Sequence, residues 1–156
     1  MKFFHTFRRL RRSEAGQSLL EMALATPFLL SMLLGAIEMG RMFYLGIEVR
    51  NAARAGVAYG AQTTTTAANS TGITQAAQND APDISALSVT PTTYCQCSNN
   101  PGTNVTCNPN PCSGSGVRQI LFVEVQTSAQ FQTWTHFPGV HSPYTLTGQA
   151  IMRVPQ

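Results

Sequence analysis

The sequence has very few charged side chains. Only 11% of its 156 residues are Asp, Glu, Lys or Arg, which is less than half of the roughly 25% found in ordinary soluble domains. The segment 61–156 holds two arginines and three carboxylates, a net charge of −1. A nucleic-acid-binding protein needs positive charge on the folded surface that meets the phosphates. The shortage of basic residues in this segment therefore argues against nucleic acid as a partner.

Catalytic and cofactor-binding motifs are also missing. Asp80, Asp83 and Glu124 stand in no recognisable nucleophile context, so no Ser–His–acid set can be argued. The sequence has no glycine-rich loop that could cradle a phosphate. We therefore predict a protein that is not an enzyme, needs no cofactor or metal and has no small-molecule substrate.

One long apolar run indicates the cellular class. Met22–Ile37 contains sixteen residues without a charge and lies between Glu21 and Glu38. As a helix, the stretch 19–37 would rise about 28 Å, close to the roughly 30 Å of hydrocarbon in a bilayer. Five basic residues and no acid lie in 1–12. The positive-inside rule therefore predicts a cytoplasmic N-terminus and export of the remainder.

Three interpretations of the apolar run compete: a membrane anchor, a cleaved secretory signal and a buried core helix. A small polar domain could hardly bury such a helix. A secretory signal needs small residues at a cleavage site after the apolar region. Ala23 and Ala25 come too early for that site, and the triplet that begins at Leu34 lacks a small first residue. We therefore favour the membrane anchor.

The four cysteines lie in the segment that is predicted to be exported. They are Cys95, Cys97, Cys107 and Cys112, with the spacing C-x-C-x9-C-x4-C. An even count in an exported domain predicts two disulfides, each contributing about 3 kcal/mol for loops of this length. A direct Cys95–Cys97 bridge would be strained. Two pairings stay open, Cys95–Cys107 with Cys97–Cys112 or Cys95–Cys112 with Cys97–Cys107. Zinc is disfavoured, because structural zinc sites use cysteine pairs with the spacing C-x2–4-C, whereas one residue separates Cys95 from Cys97.

The periodicity predicts one long helix over 17–60. Pro27 lies inside it and is expected to kink it. Beyond Glu38 the pattern becomes amphipathic, but Phe43 and Ile47 lie off the main apolar stripe. A helix that is apolar on more than one side is expected to have more than one packing partner.

Shorter elements are predicted for the rest of the chain. We expect a linker over 61–70 and a short helix over 72–78. Strands are predicted over 84–90, 120–126, 130–136 and 144–153, with an irregular cysteine-rich loop over 91–116. The fold class is therefore α+β: a long N-terminal transmembrane and amphipathic helix, then a small disulfide-stapled antiparallel β ectodomain. Phe131, Trp134 and Phe137 are expected in its core rather than in a binding patch.

The start of the long helix carries a recognisable set of residues. They are Gly16, Gln17, Glu21, Ala23 and Pro27, then Gly35, Glu38, Gly40 and Arg41 after a leucine-rich span. The segment 51–56 reads Asn-Ala-Ala-Arg-Ala-Gly, similar to an Ala-Ala-Arg-x-Gly segment of the TadE-like family. The stretch from Gly16 to about Gly60 thus resembles that family, which comprises pilin-like proteins of the Tad (tight adherence, Flp or type IVc) pilus. It departs from the family pattern at 18–20, where Ser-Leu-Leu replaces the usual Ala-Leu-Val.

The resemblance implies a function. The chain would be a minor pilin, a non-enzymatic structural and assembly component of a Tad pilus involved in surface attachment. A prepilin peptidase would cut after Gly16, removing a basic leader over 1–16. The helix 17–60 would span the inner membrane with its first half, and 61–156 would be the exported ectodomain, carried into an extracellular pilus. Other Tad pilins and membrane platform proteins are the implied partners.

The charge of Glu21 is energetically unfavourable at its position beside the apolar run. A carboxylate near the bilayer centre costs roughly 2.5–3.5 kcal/mol, and less near the edge. After a cut at Gly16, the new amino group of Gln17 in a neighbouring copy could pair with it. Small residues let membrane helices approach closely, so we predict a helix-packing role for the residues Pro27, Gly35, Gly40, Gly46 and Gly56. The alternative function is a single-pass anchored envelope protein whose ectodomain binds a ligand or partner without entering a filament.

Overall fold

The computed structural model describes residues 15–134 and 142–155. In these ranges it has three helices, α1 (Ala15–Gly60), α2 (Thr64–Ala68) and α3 (Ser70–Asp80), and four strands, β1 (Ser88–Cys97), β2 (Asn100–Val105), β3 (Gln119–Phe131) and β4 (Tyr144–Arg153). A long apolar N-terminal helix thus precedes an antiparallel sheet with two disulfides, as the sequence predicted. The chain divides into two compact units, Met1–Gly40 and Arg41–Gln156, and α1 contributes to both.

The long helix predicted over 17–60 is confirmed. Its sequence is rich in Ala, Leu and Met, which have high helix propensities. Pro27 removes one backbone donor, yet α1 is assigned as a single helix through this position. The helix ends at Gly60, where the backbone amide of Ala61 still donates to the carbonyl of Val57 at 2.8 Å.

The sheet has the strand order β2-β1-β3-β4, and all neighbours are antiparallel. Side chains alternate between the two faces of a strand, and the central strand β3 shows this alternation clearly. Its buried residues are Val123, Val125, Thr127, Ala129 and Phe131. The residues between them lie on the outer face of the sheet, which is less buried.

The C-terminal part of α1 packs against the buried face of the sheet. Two apolar clusters form there, and both include residues of α1, α3 and the sheet. The first contains Val49, Ala52, Ala77, Ala81, Leu87 and Ala129. The second contains Val57, Ala67, Ile73, Val123, Val125 and Val154. Nearly all of these side chains are small, so the helices and the sheet can approach one another closely.

The helix and the sheet approach each other closely at Gly148 of β4. A Cβ atom at this position would lie 2.7 Å from the carbonyl oxygen of Val49 and 2.9 Å from the Cα of Arg50. The buried hydroxyl of Thr127 donates to the same Val49 carbonyl at 2.7 Å. One hydrogen bond and the absence of a side chain at Gly148 therefore hold the helix close to β3 and β4.

The two disulfides are Cys95–Cys107 and Cys97–Cys112, the first of the two pairings that the spacing left open. Both bonds join β1 to the segment that follows β2. Cys95 is buried on the sheet, whereas the other three cysteines are partly exposed. The bridges thus hold a segment that has little regular structure against the end of β1.

The linker or loop expected over 61–70 is wrong in part, because α2 occupies Thr64–Ala68. Thr63 caps this helix: its hydroxyl accepts from the amide of Thr66 at 3.1 Å, and its own amide donates to the Thr66 hydroxyl at 2.9 Å. Ala61 and Ala67 are buried. The repeated threonines look like low complexity, but two of them form a reciprocal cap. The helix predicted over 72–78 is present as α3, which is longer than predicted and covers Ser70–Asp80.

The expectation of an irregular loop over 91–116 is also wrong in its first half. β1 begins four residues later than predicted and continues through Pro91 to Cys97, and β2 follows it. Pro91 is tolerated because β2 pairs with β1 only from Cys95 onwards, so β1 has one neighbour at the proline. Pairing with β3 thus outweighs the local turn signals.

The remaining strand predictions have mixed outcomes. β4 coincides with the predicted 144–153. The predicted strand 120–126 is part of the longer β3, which extends to Phe131. The strand predicted over 130–136 is wrong where it is described, since 130–131 end β3 and 132–134 are not in a strand. Residues 135 and 136 lie outside the described residues.

We predict that Gly148→Ala lowers the free energy of unfolding by about 1–3 kcal/mol, because the added methyl overpacks a tight site. Gly46→Ala is the matched control. No atom lies within 4 Å of a Cβ at Gly46, and alanine favours a helix over glycine by up to about 1 kcal/mol. Urea unfolding of the full chain in detergent, followed by circular dichroism, measures both. Equal stability of the two variants would contradict the proposed contact.

Candidate functional site

The N-terminal part of α1 exposes its apolar side chains. Every Leu, Met, Phe and Ile between positions 19 and 39 is at least 45% exposed. In 15–134 and 142–155, α1 is the one helix that is long and apolar enough to cross a membrane. Its stretch 16–40 rises about 38 Å, more than the roughly 30 Å of bilayer hydrocarbon. An apolar surface of this extent marks contact with a membrane or with other proteins.

The two hydroxyl side chains inside the apolar run 22–37 bond to the helix itself. The hydroxyl of Thr26 donates to the carbonyl of Met22 at 2.6 Å, and the hydroxyl of Ser31 donates to the carbonyl of Phe28 at 2.8 Å. Such bonds within the helix satisfy hydroxyl donors where no water is present. The run 22–37 is therefore chemically suited to an apolar environment on all sides.

The predicted processing residues lie at the start of α1. Gly16, Gln17 and Glu21 are all helical and exposed. A Cβ at Gly16 would meet no atom within 4 Å, so the chain itself gives no packing reason for glycine there. The leader that we predicted over 1–16 lies outside the described residues up to position 14.

The residues predicted to pack helices fall into two groups. Pro27, Gly35, Gly40 and Gly46 lie along α1, and the three glycines have open space where a side chain would be. Gly56 is different, because a Cβ there would lie 3.2 Å from the Cβ of Ala77 in α3 and 3.3 Å from the Cγ1 of Val125 in β3. Gly56 therefore allows close packing within the chain.

The geometry of α1 can now be set beside the comparisons with known proteins. Residues 16–58 match the family model for TadE-like protein. The resemblance identified from Gly16 onwards is therefore confirmed, and it associates this segment with a Tad pilus, whose TadE-like components are structural. No curated protein and no solved structure matches the chain. We call residues 16–58 the TadE-like segment.

A hydrogen-bonded cluster joins the TadE-like segment to the start of the sheet domain. The phenol of Tyr44 donates to Glu48 Oε1 at 2.7 Å and lies 3.3 Å from Asp83 Oδ2, in the connection between α3 and β1. The hydrogen bond to Glu48 and the charge of that carboxylate, with a smaller effect of Asp83, raise the pKa of Tyr44 to about 12. The phenol thus remains a donor at any physiological pH.

A second cluster lies near the start of the same unit. The guanidinium carbon of Arg41 lies 3.6 Å from the ring centroid of Trp134 and 5.4 Å from that of Phe131, within the range of cation–π attraction. Phe131 is buried, as predicted, but the prediction that Trp134 is in the core is wrong, since it is 74% exposed. Phe137 lies outside the described residues.

The outer face of the sheet carries neutral polar groups. Thr, Ser and Gln dominate it along β1, β3 and β4. Its carboxylate, Glu124, accepts hydrogen bonds from the amides of Gln126 at 2.8 Å and Gln149 at 2.7 Å. Tyr94 stacks on Phe122 with 5.5 Å between ring centroids. Burial, and to a smaller extent Glu124, raise the pKa of Tyr94.

The structure brings together residues that the sequence analysis did not connect. Arg41 and Trp134, like Tyr44 and Asp83, are distant in sequence and meet only because the sheet packs on α1. A local signal existed for Arg41, the first basic residue after the apolar run. No group of three or more metal-ligating side chains occurs in the described part of the chain, and the four cysteines are bonded to one another.

The raised pKa of Tyr44 gives a prediction for alkaline pH. Ultraviolet absorbance follows phenolate formation, and subtracting the titration curve of Tyr44→Phe from that of the wild type isolates Tyr44. The midpoint of this difference curve should lie near pH 12. An unperturbed tyrosine has its midpoint near pH 10. Because the folded chain holds this proton more tightly, the contribution of Tyr44 to stability should be lost as the pH rises from about 10 to about 12.

Glu48→Gln is the control for this titration. It removes the carboxylate whose hydrogen bond and charge contribute most to the shift, so the midpoint of Tyr44 should fall back towards about 10. A midpoint that is the same in wild type and Glu48→Gln would contradict the assignment.

Proposed function

We propose that the chain is a minor pilin of a Tad pilus, a membrane-anchored structural and assembly component that takes part in surface attachment. One observation carries the proposal: the family match begins at Gly16, and the helix that follows exposes its large apolar side chains. A segment with this surface needs a bilayer or other apolar helices to cover it. The bilayer would cover this segment first, and apolar helices of other pilins would cover it later in the filament.

The proposed organisation has three parts. Residues 1–16 form a basic leader that stays in the cytoplasm and is removed by a prepilin peptidase. The helix over 17–60 spans the inner membrane with its first half, and the ectodomain over 61–156 lies outside. Two disulfides in the ectodomain support this orientation, because disulfides persist outside the reducing cytoplasm. Other Tad pilins and the membrane platform proteins are the proposed partners.

Glu21 has a defined task in this proposal. Its side chain lies on the exposed surface of α1, one residue before the apolar run. After cleavage, the positive amino group of Gln17 would be four residues away in the sequence of each mature copy. Pairing this amine with Glu21 of a neighbouring copy would offset the cost of placing both charges close to lipid. The pairing would also set the relative height of the two helices.

The N-terminus of the protein from native membranes tests the processing step. Mass spectrometry of the terminal peptide should find Gln17 as the first residue. In Gly16→Ala, which leaves the helix unobstructed, the leader should be retained. Ser31→Ala, which alters a side chain bonded only to its own helix, should be processed normally.

The other termini have clear meanings. An intact N-terminus at Met1 in the wild type would contradict cleavage and favour an anchored envelope protein that binds its partner outside a filament. A terminus beyond Ile37 would contradict the membrane anchor itself, since the apolar run would have been removed.

Glu21→Ala tests the charge pairing separately. We expect normal cleavage but at least about tenfold fewer surface pili, since a loss of about 1.4 kcal/mol per contact changes an equilibrium constant tenfold. Electron microscopy and surface-attachment assays measure the result. Asp80→Ala, which removes an exposed carboxylate at the end of α3, is the matched control. Wild-type numbers of pili on the Glu21→Ala strain would refute the pairing.

A further inference from the structure

We propose that a groove beside α1 binds an acidic polysaccharide, with Arg50 and Arg54 holding the carboxylate of a uronic acid unit. The groove has a volume of about 600 Å³ and is lined by residues of α1, β1, β3 and β4, a size that is typical of ligand sites. All of these residues belong to the unit Arg41–Gln156. Binding itself does not depend on the proposed function, and only its contribution to surface attachment rests on it.

Two positive charges face the groove from one side of α1. Arg50 and Arg54 both line it, and residues four positions apart lie on the same face of a helix, about 6 Å from each other. Like charges at this spacing destabilise a helix, and no residue three or four positions from either arginine is acidic. Among the described residues that line the groove, none is acidic either. An anionic group between the two guanidinium groups would remove their repulsion.

The tight contact between α1 and β4 brings these charges beside polar groups of the sheet. The Cα of Arg50 lies 2.9 Å from the position that a Cβ atom would take at Gly148. In the described part of the chain no further strand lies beyond β4, so long arginine side chains can reach its outer face. The neighbours of Gly148 in β4, Thr147 and Gln149, also line the groove. Charged donors and neutral polar groups therefore meet at the edge of the sheet.

The neutral groups of the groove can accept hydrogen bonds from sugar hydroxyls and donate to them. The amide nitrogens of Gln126 and Gln149 donate to Glu124 Oε1 at 2.8 and 2.7 Å, which orients both amides and leaves their oxygens as acceptors. Thr145 and Thr147 add hydroxyl groups to the lining, and a hydroxyl both donates and accepts. A sugar ring carries several hydroxyls with the same two capacities, so this lining suits its polar edge.

The chemistry of the lining favours a uronic acid over other anions. A guanidinium group binds a planar carboxylate through two parallel hydrogen bonds. Nucleic acid needs a longer track of positive charge, and single strands also need aromatic side chains on which the bases stack. None of the described lining residues is aromatic. Inorganic phosphate would engage the arginines and leave the hydroxyl and amide groups without partners, whereas a sugar unit with a carboxylate fits both kinds of group.

Binding of trigalacturonate to the full chain in a non-ionic detergent tests the site. Fluorescence anisotropy of the trisaccharide, labelled at its reducing end, measures the Kd at low salt. Its methyl ester is the matched control ligand, because it keeps the sugar chain and lacks the charge. We expect the ester to bind at least about tenfold more weakly, since hydrogen bonds to charged groups are the stronger ones. Inorganic phosphate should displace the trisaccharide only at concentrations at least about tenfold above those of unlabelled trigalacturonate.

Variants of the lining test the individual residues. Arg50→Gln and Arg54→Gln should each raise the Kd for trigalacturonate at least about tenfold. Arg118→Gln is the matched control, because it removes a positive charge that is exposed and lies outside the groove, and it should leave the Kd unchanged. Thr147→Val keeps the shape of an exposed strand residue and should raise the Kd about two- to tenfold, through the loss of one neutral hydrogen bond.

The contrary outcomes have separate meanings. Absence of binding to trigalacturonate, or equal binding of the acid and its ester, overturns the proposed ligand. A Kd that rises equally in Arg54→Gln and Arg118→Gln overturns the groove as the site, because only general charge attraction would remain. Phosphate that competes as well as unlabelled trigalacturonate overturns the sugar contacts. All of these results leave the minor pilin standing, since the N-terminus of the mature chain and the number of pili decide that proposal.

Discussion

The unit formed by Arg41–Gln156 depends on the close approach of α1 to strands β3 and β4. At Gly148 the helix backbone occupies the space in which any other residue would have its Cβ atom. The hydroxyl of Thr127 bonds to the Val49 carbonyl at the same place, so the polar group is satisfied although it is buried. Small side chains such as Ala52 and Ala129 surround this point. Larger ones would separate the layers and break the hydrogen bond.

A core of alanines and valines buries little apolar area per residue, and this affects the rest of the domain. Each buried methylene contributes only about 0.8 kcal/mol, and the segment 61–156 has only five charged side chains, two Arg, two Asp and one Glu. The two disulfides, which close short loops beside β1, supply stability of a different origin because they restrict the unfolded chain. With so few charged side chains, the domain gains more from covalent bridges.

The sequence predicted those features whose signal is local or periodic. The long helix, the two disulfides and the bounds of β4 followed from the apolar run, the cysteine count and the alternation of 144–153. The course of β1 through Pro91 could not be predicted, because its pairing with β3 overrides the local turn signals. In the site, the TadE-like segment was recognisable from its motif. The Arg41–Trp134 cluster was not, since its members meet only through the packing of the sheet on α1.

The outer face of the sheet has a consequence for how the domain meets its surroundings. Hydroxyl and amide groups cover this face, and two glutamine amides hold the carboxylate of Glu124. Salt screens interactions between exposed charges over about 10 Å at 0.1 M, but it has little effect on hydrogen bonds between neutral groups. Contacts that form through the hydroxyl and amide groups of this face are therefore expected to depend little on the salt concentration.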